Sequence, residues 1–243
     1  MEVTNKPKFP ANYDGLDIEE VAFAEFENCY GQKQEYKLDI LRKQNDNELR
    51  PVVIFVHGGG FIQPLDKRQN YVSLICRQII EYGYTVISPD YPLYNDKEDR
   101  LKDDSNALTK QIPHSIKAVY DFILKNADKY NFNTSKIAII GGSAGATTAY
   151  NAIATYKELK FTCFGALWGV PAILPDISHF PPIFSVHGTN DSSYVRQVDV
   201  TEAFSKAHIS CTLISVGGSG HSPIDKMAEY VPPLIHFLNY YTK

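Results

Sequence analysis

Two glycine clusters mark the places where this chain could perform chemistry. The first is Gly141-Gly142-Ser143-Ala144-Gly145, a G-x-S-x-G pentapeptide between the apolar run at residues 137–140 and a helical pattern that begins at Ala144. A serine at a sharp strand-to-helix turn needs glycines around it because no neighbouring side chain fits. Its hydroxyl then stands exposed at the positive end of the helix, as in a nucleophile elbow. The second cluster is His57-Gly58-Gly59-Gly60-Phe61, which follows the β-branched and aromatic run at residues 52–56. Acyl transfer builds negative charge on a carbonyl oxygen, and three glycines leave backbone N–H groups open to receive it. Gly59 and Gly60 are assigned as two such donors, and the N–H of Ala144 as the third.

Each cluster has a plainer reading. A serine between glycines can simply cap a helix, and composition alone would place G-x-S-x-G in roughly one chain of this size in twenty. A buried strand running into H-G-G-G is much rarer, on the order of one chain in several hundred, and the agreement of the two favours catalysis. A phosphate-binding loop is the other competitor, but neither cluster has G-x-x-x-x-G-K or G-x-G-x-x-G spacing.

At these residues the chain resembles the α/β-hydrolase superfamily, and within it the HGGG-bearing branch of carboxylesterases, hormone-sensitive-lipase-like esterases and small polysaccharide-linked esterases. The resemblance runs from about Tyr36 to the C-terminus and includes Asp90-Tyr91-Pro92-Leu93, which looks like the family's D-Y-R-L segment but departs from it at Pro92. The remaining members of the triad then follow in the order acid, histidine. His187-Gly188-Thr189-Asn190-Asp191 resembles the family's H-G-x-x-D turn, so Asp191 matches the acid. Gly217-Gly218-Ser219-Gly220-His221 presents a histidine before the last helix, so His221 matches the base, with Asp225 as the nearest rival acid. His57 and His187 belong to turn motifs and read as structural. His114, His179, His208 and His236 have no partner in view and read as surface or core residues.

These residues must be held at one rim by the elements between them. A strand at residues 21–29 and the alternation of Tyr36, Leu38 and Ile40 suggest a hairpin. The run at 52–56 reads as a strand buried on both faces. From there strands at 85–88, 137–140, 162–167, 183–186 and 211–216 alternate with helices at 71–82, 105–126, from 144, at 195–207 and at 223–240. Such a series predicts an α/β fold with a mostly parallel sheet of about eight strands, helices on both faces and ligands beyond the carboxyl ends of the strands.

The bulk composition sets the limits. With 243 residues, 44% hydrophobic and 21% charged, and with no linker-like stretch or repeat, the sequence predicts one α/β-hydrolase domain with an N-terminal extension at residues 1–20 able to fold over the cleft. The formal charge of -4 comes from interspersed acids and bases, which speaks against a nucleic-acid partner. No apolar run could cross a bilayer and the first residues lack a signal-peptide pattern, so the expectation is a soluble cytoplasmic protein with no membrane partner. The four cysteines, Cys29, Cys76, Cys163 and Cys211, read as buried free thiols, not as disulfides or a metal site.

The triad chemistry calls for no cofactor and no metal. Between residues 167 and 183 there is no room for a helical cap, which predicts an open cleft, a minimal cap and a small-molecule ester substrate with a short acyl group. Phe61, Trp168 and Val170 are candidates for the pocket wall. An N-formyl amidase with the same triad is the alternative enzyme, and a non-catalytic binding protein on a hydrolase scaffold is the alternative class. A dehalogenase is excluded because its elbow carries aspartate where this chain has Ser143. A homodimer through an edge strand is left open by the fold, although no residue argues for one.

Overall fold

A computed structural model describes residues 13–103 and 107–243. The chain runs β1 (Leu16–Glu27), β2 (Lys33–Lys43), β3 (Arg50–Val56), α1 (Asn70–Glu81), β4 (Thr85–Pro89), α2 (Lys97–Lys102), α3 (Ala107–Lys125) and the one-turn α4 (Ala127–Tyr130). It continues through β5 (Phe132–Gly142), α5 (Ala144–Thr155), β6 (Phe164–Leu167), β7 (Ile183–Gly188), α6 (Tyr194–Lys206), β8 (Cys211–Val216) and α7 (Met227–Thr242). The eight strands form one sheet in the order β1-β2-β4-β3-β5-β6-β7-β8, antiparallel at β1–β2 and β2–β4 and parallel from β4 to β8. The predicted α/β-hydrolase architecture is therefore the observed one.

The central strands show why a continuous apolar run becomes a strand here. Val52, Ile54 and Val56 of β3 pack with Ile112, Ile116 and Val119 of α3 on one face, while Val53 and Phe55 pack with Val72, Ile75 and Ile79 of α1 on the other. β5 divides in the same way, with Ile137 and Ile139 on the first face and Ala138 and Ile140 on the second. Side chains alternate across a strand, so a strand covered by helices on both sides must be apolar at every position. From β3 the chain moves to β4 on one side and later to β5 on the other. The carboxyl ends of β3 and β5 thus flank a switch in strand order, which in open α/β sheets is where a crevice forms.

Several boundaries differ from the sequence reading. β1 begins at Leu16 because its outward positions carry Asp17, Glu19 and Glu20, which hide the alternation. Of the expected covering extension, residues 16–20 lie in an edge strand three positions from β3, and residues 1–12 lie outside the described residues. α2 was missed because it buries no residue and so has no apolar stripe, although Asp96 caps it by accepting from the Asp99 N–H at 2.8 Å. α7 starts at Met227 and not at Pro223, since Ser222 has a left-handed φ of 58° and a short 3-10 turn (Ile224–Lys226) intervenes. All four cysteines are unpaired, but only Cys76 and Cys163 are buried, because Cys29 sits in the β1–β2 turn and Cys211 on the edge strand β8. No helix among the described residues is long and apolar enough to cross a membrane.

Candidate active site

The last residue of β5, Gly142, leads straight into Ser143, which has φ 52° and ψ −116°, and α5 starts at the next residue. The fold fixes this turn because it allows no bulk beside it. A Cβ on Gly145 would lie 2.1 Å from the Val56 carbonyl oxygen, so only glycine lets α5 approach β3 so closely. The Ser143 N–H donates to the Leu167 carbonyl of β6 at 2.8 Å, and its hydroxyl is left pointing off the sheet.

That hydroxyl lies 2.8 Å from Nε2 of His221. Nδ1 of the same ring lies 2.5 Å from Oδ2 of Asp191. With Nδ1 as donor to the carboxylate, Nε2 is free to accept from the serine. Side chains from the ends of β5, β7 and β8, separated by 48 and 30 residues in the chain, are thereby joined in one hydrogen-bonded series. Asp225, the rival acid, sits in the 3-10 turn and makes no bond to the imidazole.

Asp191 is held by more than histidine. Its Oδ1 accepts from the Ser193 N–H and the Ser193 hydroxyl, both at 2.8 Å, and Nε2 of buried His187 donates to that hydroxyl at 2.9 Å. Burial is the largest influence on the Asp191 carboxyl and opposes its ionisation. The two Ser193 bonds and the His221 ring outweigh it and hold the carboxyl below the usual carboxylate range. His187 is pushed the other way for a histidine, since burial lowers its affinity for a proton more than Asp191 raises it.

The glycine loop after β3 lies opposite. Gly59 and Gly60 have φ of 122° and 63°, and a Cβ on Gly59 would meet Leu65 at 2.6 Å. Among the described residues, no protein acceptor takes the N–H of Gly59, Gly60 or Ala144, so all three stay available beside Ser143. The loop is braced from beneath by groups far apart in the chain. The Gly58 N–H donates to the Tyr71 hydroxyl at 2.6 Å, and the Gly58 carbonyl accepts from His57 Nδ1 at 2.7 Å and from the Gln69 amide at 2.9 Å. The Tyr91 hydroxyl donates to the His57 carbonyl at 2.7 Å while its ring stacks on the imidazole. Beyond the loop, Lys67 is buried and ion-paired with Asp90 and Glu20. Four non-glycine residues with positive φ, Phe61, Ser143, Trp168 and Ser222, are in or next to these turns, which is where backbone strain accumulates in functional sites.

The predicted wall residues divide. Phe61 and Val170 are half-buried; Phe61 packs edge-on against Tyr91, and the Val170 carbonyl accepts from Thr147 at 2.9 Å. Trp168 is a correction. Its ring is 1% exposed and packs edge-on against Tyr71 and Tyr230, so it belongs to the core beneath the site and not to the wall. Tyr71, Gln69 and Ser193 had no sequence signal beyond residue type, and the D-Y-R-L-like segment marked Tyr91 without its role, because each acts through a contact that only the fold creates.

A family model described as BD-FAE matches residues 38–163, half of the chain, and that span contains both glycine clusters and Ser143. The chain belongs to the BD-FAE family. With it the chain belongs to the α/β-hydrolase superfamily of carboxylesterase type. Asp191 and His221 lie beyond the matched span. Among curated proteins, an isoprenylcysteine alpha-carbonyl methylesterase of Arabidopsis thaliana is 28% identical over 135 residues, 54% of this chain and 28% of its own length. An alpha/beta hydrolase of Acanthamoeba polyphaga mimivirus is 25% identical over 128 residues, 51% of this chain and 33% of its own length. This BD-FAE chain thus aligns with a third or less of those relatives. Among solved structures, the alpha/beta hydrolase MGS-M1 from a Medee basin deep-sea metagenome library superposes with a TM-score of 0.74. The two share 16% identity, over 95% of this chain and 99% of that one, which shows the shared fold.

Proposed function

We propose that the protein is a serine hydrolase that cleaves small carboxylic esters through an acyl-enzyme on Ser143. The observation that carries this reading is the bonded series from the Ser143 hydroxyl through His221 to Asp191. A serine hydroxyl is a weak nucleophile until a base removes its proton during attack. His221 Nε2 takes that proton as Oγ bonds to the ester carbonyl carbon. The carbonyl oxygen becomes an oxyanion and accepts from the N–H groups of Gly59, Gly60 and Ala144, with the α5 dipole adding to their field. Asp191 stays ionised, keeps the imidazole in the right tautomer and stabilises the imidazolium without taking its proton. The alcohol leaves with the proton from His221. A water deprotonated by the same nitrogen then attacks the acyl carbonyl, releasing the acid and restoring the serine.

The preference for small esters rests on the segment between β6 and β7, which contains no helix and so lacks the lid that would bury a long acyl chain. The methylesterase relative agrees with ester chemistry. The test pairs para-nitrophenyl acetate with an N-formyl arylamine, for the natural protein and Ser143→Ala, and maps labelling by a fluorophosphonate. Ester turnover that disappears in the variant by about five or six orders of magnitude, with label on Ser143, is expected. A folded protein that neither takes the label nor cleaves the ester would overturn the reading, and faster cleavage of the amide would replace ester with amide.

A further inference from the structure

Among the described residues, Arg100 on α2 is the one charged side chain that hydrogen-bonds to the glycine loop. Its Nη1 donates to the Gly60 carbonyl at 2.7 Å, and its guanidinium lies over the Phe61 ring, 5.7 Å from the centroid. The guanidinium also sits over the Cα of Gly60, where an added Cβ would meet it at 3.5 Å. An arginine so placed usually answers a nearby acid, and α2 and its flanks are rich in acids, yet each of those among the described residues is engaged elsewhere. Asp96 caps the helix, and Glu98 pairs with Lys102 at 3.6 Å. Asp99 accepts from Asn95 at 3.1 Å and from Tyr30 at 3.4 Å. Asp103 accepts from the Tyr94 hydroxyl at 2.6 Å and from the Leu108 N–H at 3.1 Å. Among the described residues Arg100 has no carboxylate partner, and its other guanidinium N–H groups are left over after the bond to Gly60.

The position matters because the N–H of the same glycine is one of the proposed oxyanion donors. A hydrogen bond, the span of one residue and the 2.7 Å contact together keep the guanidinium within about 9 Å of the oxyanion. We infer that Arg100 is a specificity-determining residue that selects esters carrying a carboxylate about three or four carbons from the scissile carbonyl. Such a group would accept from the vacant N–H face of the guanidinium, a planar donor set suited to carboxylate, and would rest its methylenes on the Phe61 ring. The inference rests on the proposed ester hydrolysis and names the class of ester.

Two matched pairs place the charge on the acyl or on the alcohol side: para-nitrophenyl pentanoate against para-nitrophenyl hemiglutarate, and phenyl acetate against para-acetoxybenzoate. The quantity read is the ratio of kcat/KM for the anionic over the neutral member, in the natural protein, R100K, R100Q and R100E. In at least one pair the ratio falls about three- to tenfold in Arg100→Gln, falls further in Arg100→Glu and is largely kept in Arg100→Lys; added salt lowers it in the natural protein and in Arg100→Lys but not in Arg100→Gln. Equal losses for both members would make Arg100 a mere brace of the Gly60 carbonyl and overturn the inference, as would an unchanged ratio. Neutral esters cleaved in a Ser143-dependent way without any charge effect sink this inference alone. If no ester is cleaved, the ester reading fails and this inference with it.

Discussion

The two halves of the site are built differently. The glycine loop after β3 is set into the protein: Gly58 is bonded to Tyr71, His57 and Gln69, Tyr91 holds the His57 carbonyl, and Gly58, Gly59 and Gly145 have no space for a Cβ. The turn that carries His221 stands in the open. The His221 side chain is 53% exposed, and a Cβ on Gly217, Gly218 or Gly220 would meet nothing within 4 Å. This second half is ordered by the bond of the ring to Asp191, which is itself fixed by Ser193 and His187, and by three bonds from its turn to the segment after β7: the Asn190 N–H to the Ser219 carbonyl at 2.9 Å, the Asn190 side-chain amide to the Gly218 carbonyl at 2.9 Å and the Gly218 N–H to the Thr189 hydroxyl at 2.8 Å. On the proposed reading, the difference follows from what each half would do. Oxyanion donors stabilise a transition state only if they are aimed before charge develops, since reorganising them would consume the gain. A base needs only to reach one proton at hydrogen-bond distance, so a few polar contacts on an open turn suffice to guide it.

The comparison would break most visibly at Asp191. If that carboxylate is what orders the exposed half, Asp191→Asn lowers kcat by about four orders of magnitude with the fold intact by circular dichroism; a near-normal rate would assign the ordering to the glycine turn itself. Within the braced half, Gly59→Ala keeps the N–H but sets a Cβ against Leu65 at a φ of 122°, and kcat should fall about a hundred- to a thousandfold, the cost of one lost donor. Gly220→Ala, the matching change in the open half, should leave kcat within about threefold and the melting temperature nearly unmoved. Equal penalties for the two alanines would erase the distinction.

The smallest effect concerns the buried histidines, one under each half. Burial is the main cause that holds both His57 and His187 below the ordinary histidine value, against the opposing pull of Asp90 and Asp191 respectively. The unfolded chain then binds protons more readily at these sites. Stability is full above about pH 6.5, the unfolded value, and declines as pH falls below it toward the lower folded values. Urea midpoints at pH 7.5 and 5.5 should show this loss, and His57→Gln and His187→Gln should each flatten it. An unaltered slope in both variants would place the cause elsewhere.

Much of this was legible before any coordinates. The strands ending at Val56, Gly142 and Gly188 were readable because a strand buried on both faces is apolar throughout and its exit is marked by glycine. Ser143 was readable because it follows such a strand between glycines, and Asp191 and His221 because their late turns resemble those that carry the acid and the histidine in the family. α2 was not, since a helix with no buried face has no periodic stripe to find. Trp168 was misplaced for a related reason. It follows a strand end as the candidate catalytic residues do, and only its contacts with Tyr71 and Tyr230 show that it turns inward.

By itself the sequence determined the covalent resources: a serine between glycines, three consecutive glycines after a strand, an acid and a histidine on late turns, and enough β-branched residues to build the sheet between them. These are local properties, set by sterics and by alternation along a strand. Tertiary structure alone decided that the Ser143 hydroxyl meets the His221 ring, that Tyr71 and Tyr91 brace a loop they do not adjoin, and that Arg100 bonds to the Gly60 carbonyl. Such contacts depend on the strand order and on the crossing of helices over the sheet. No spacing along the chain encodes them.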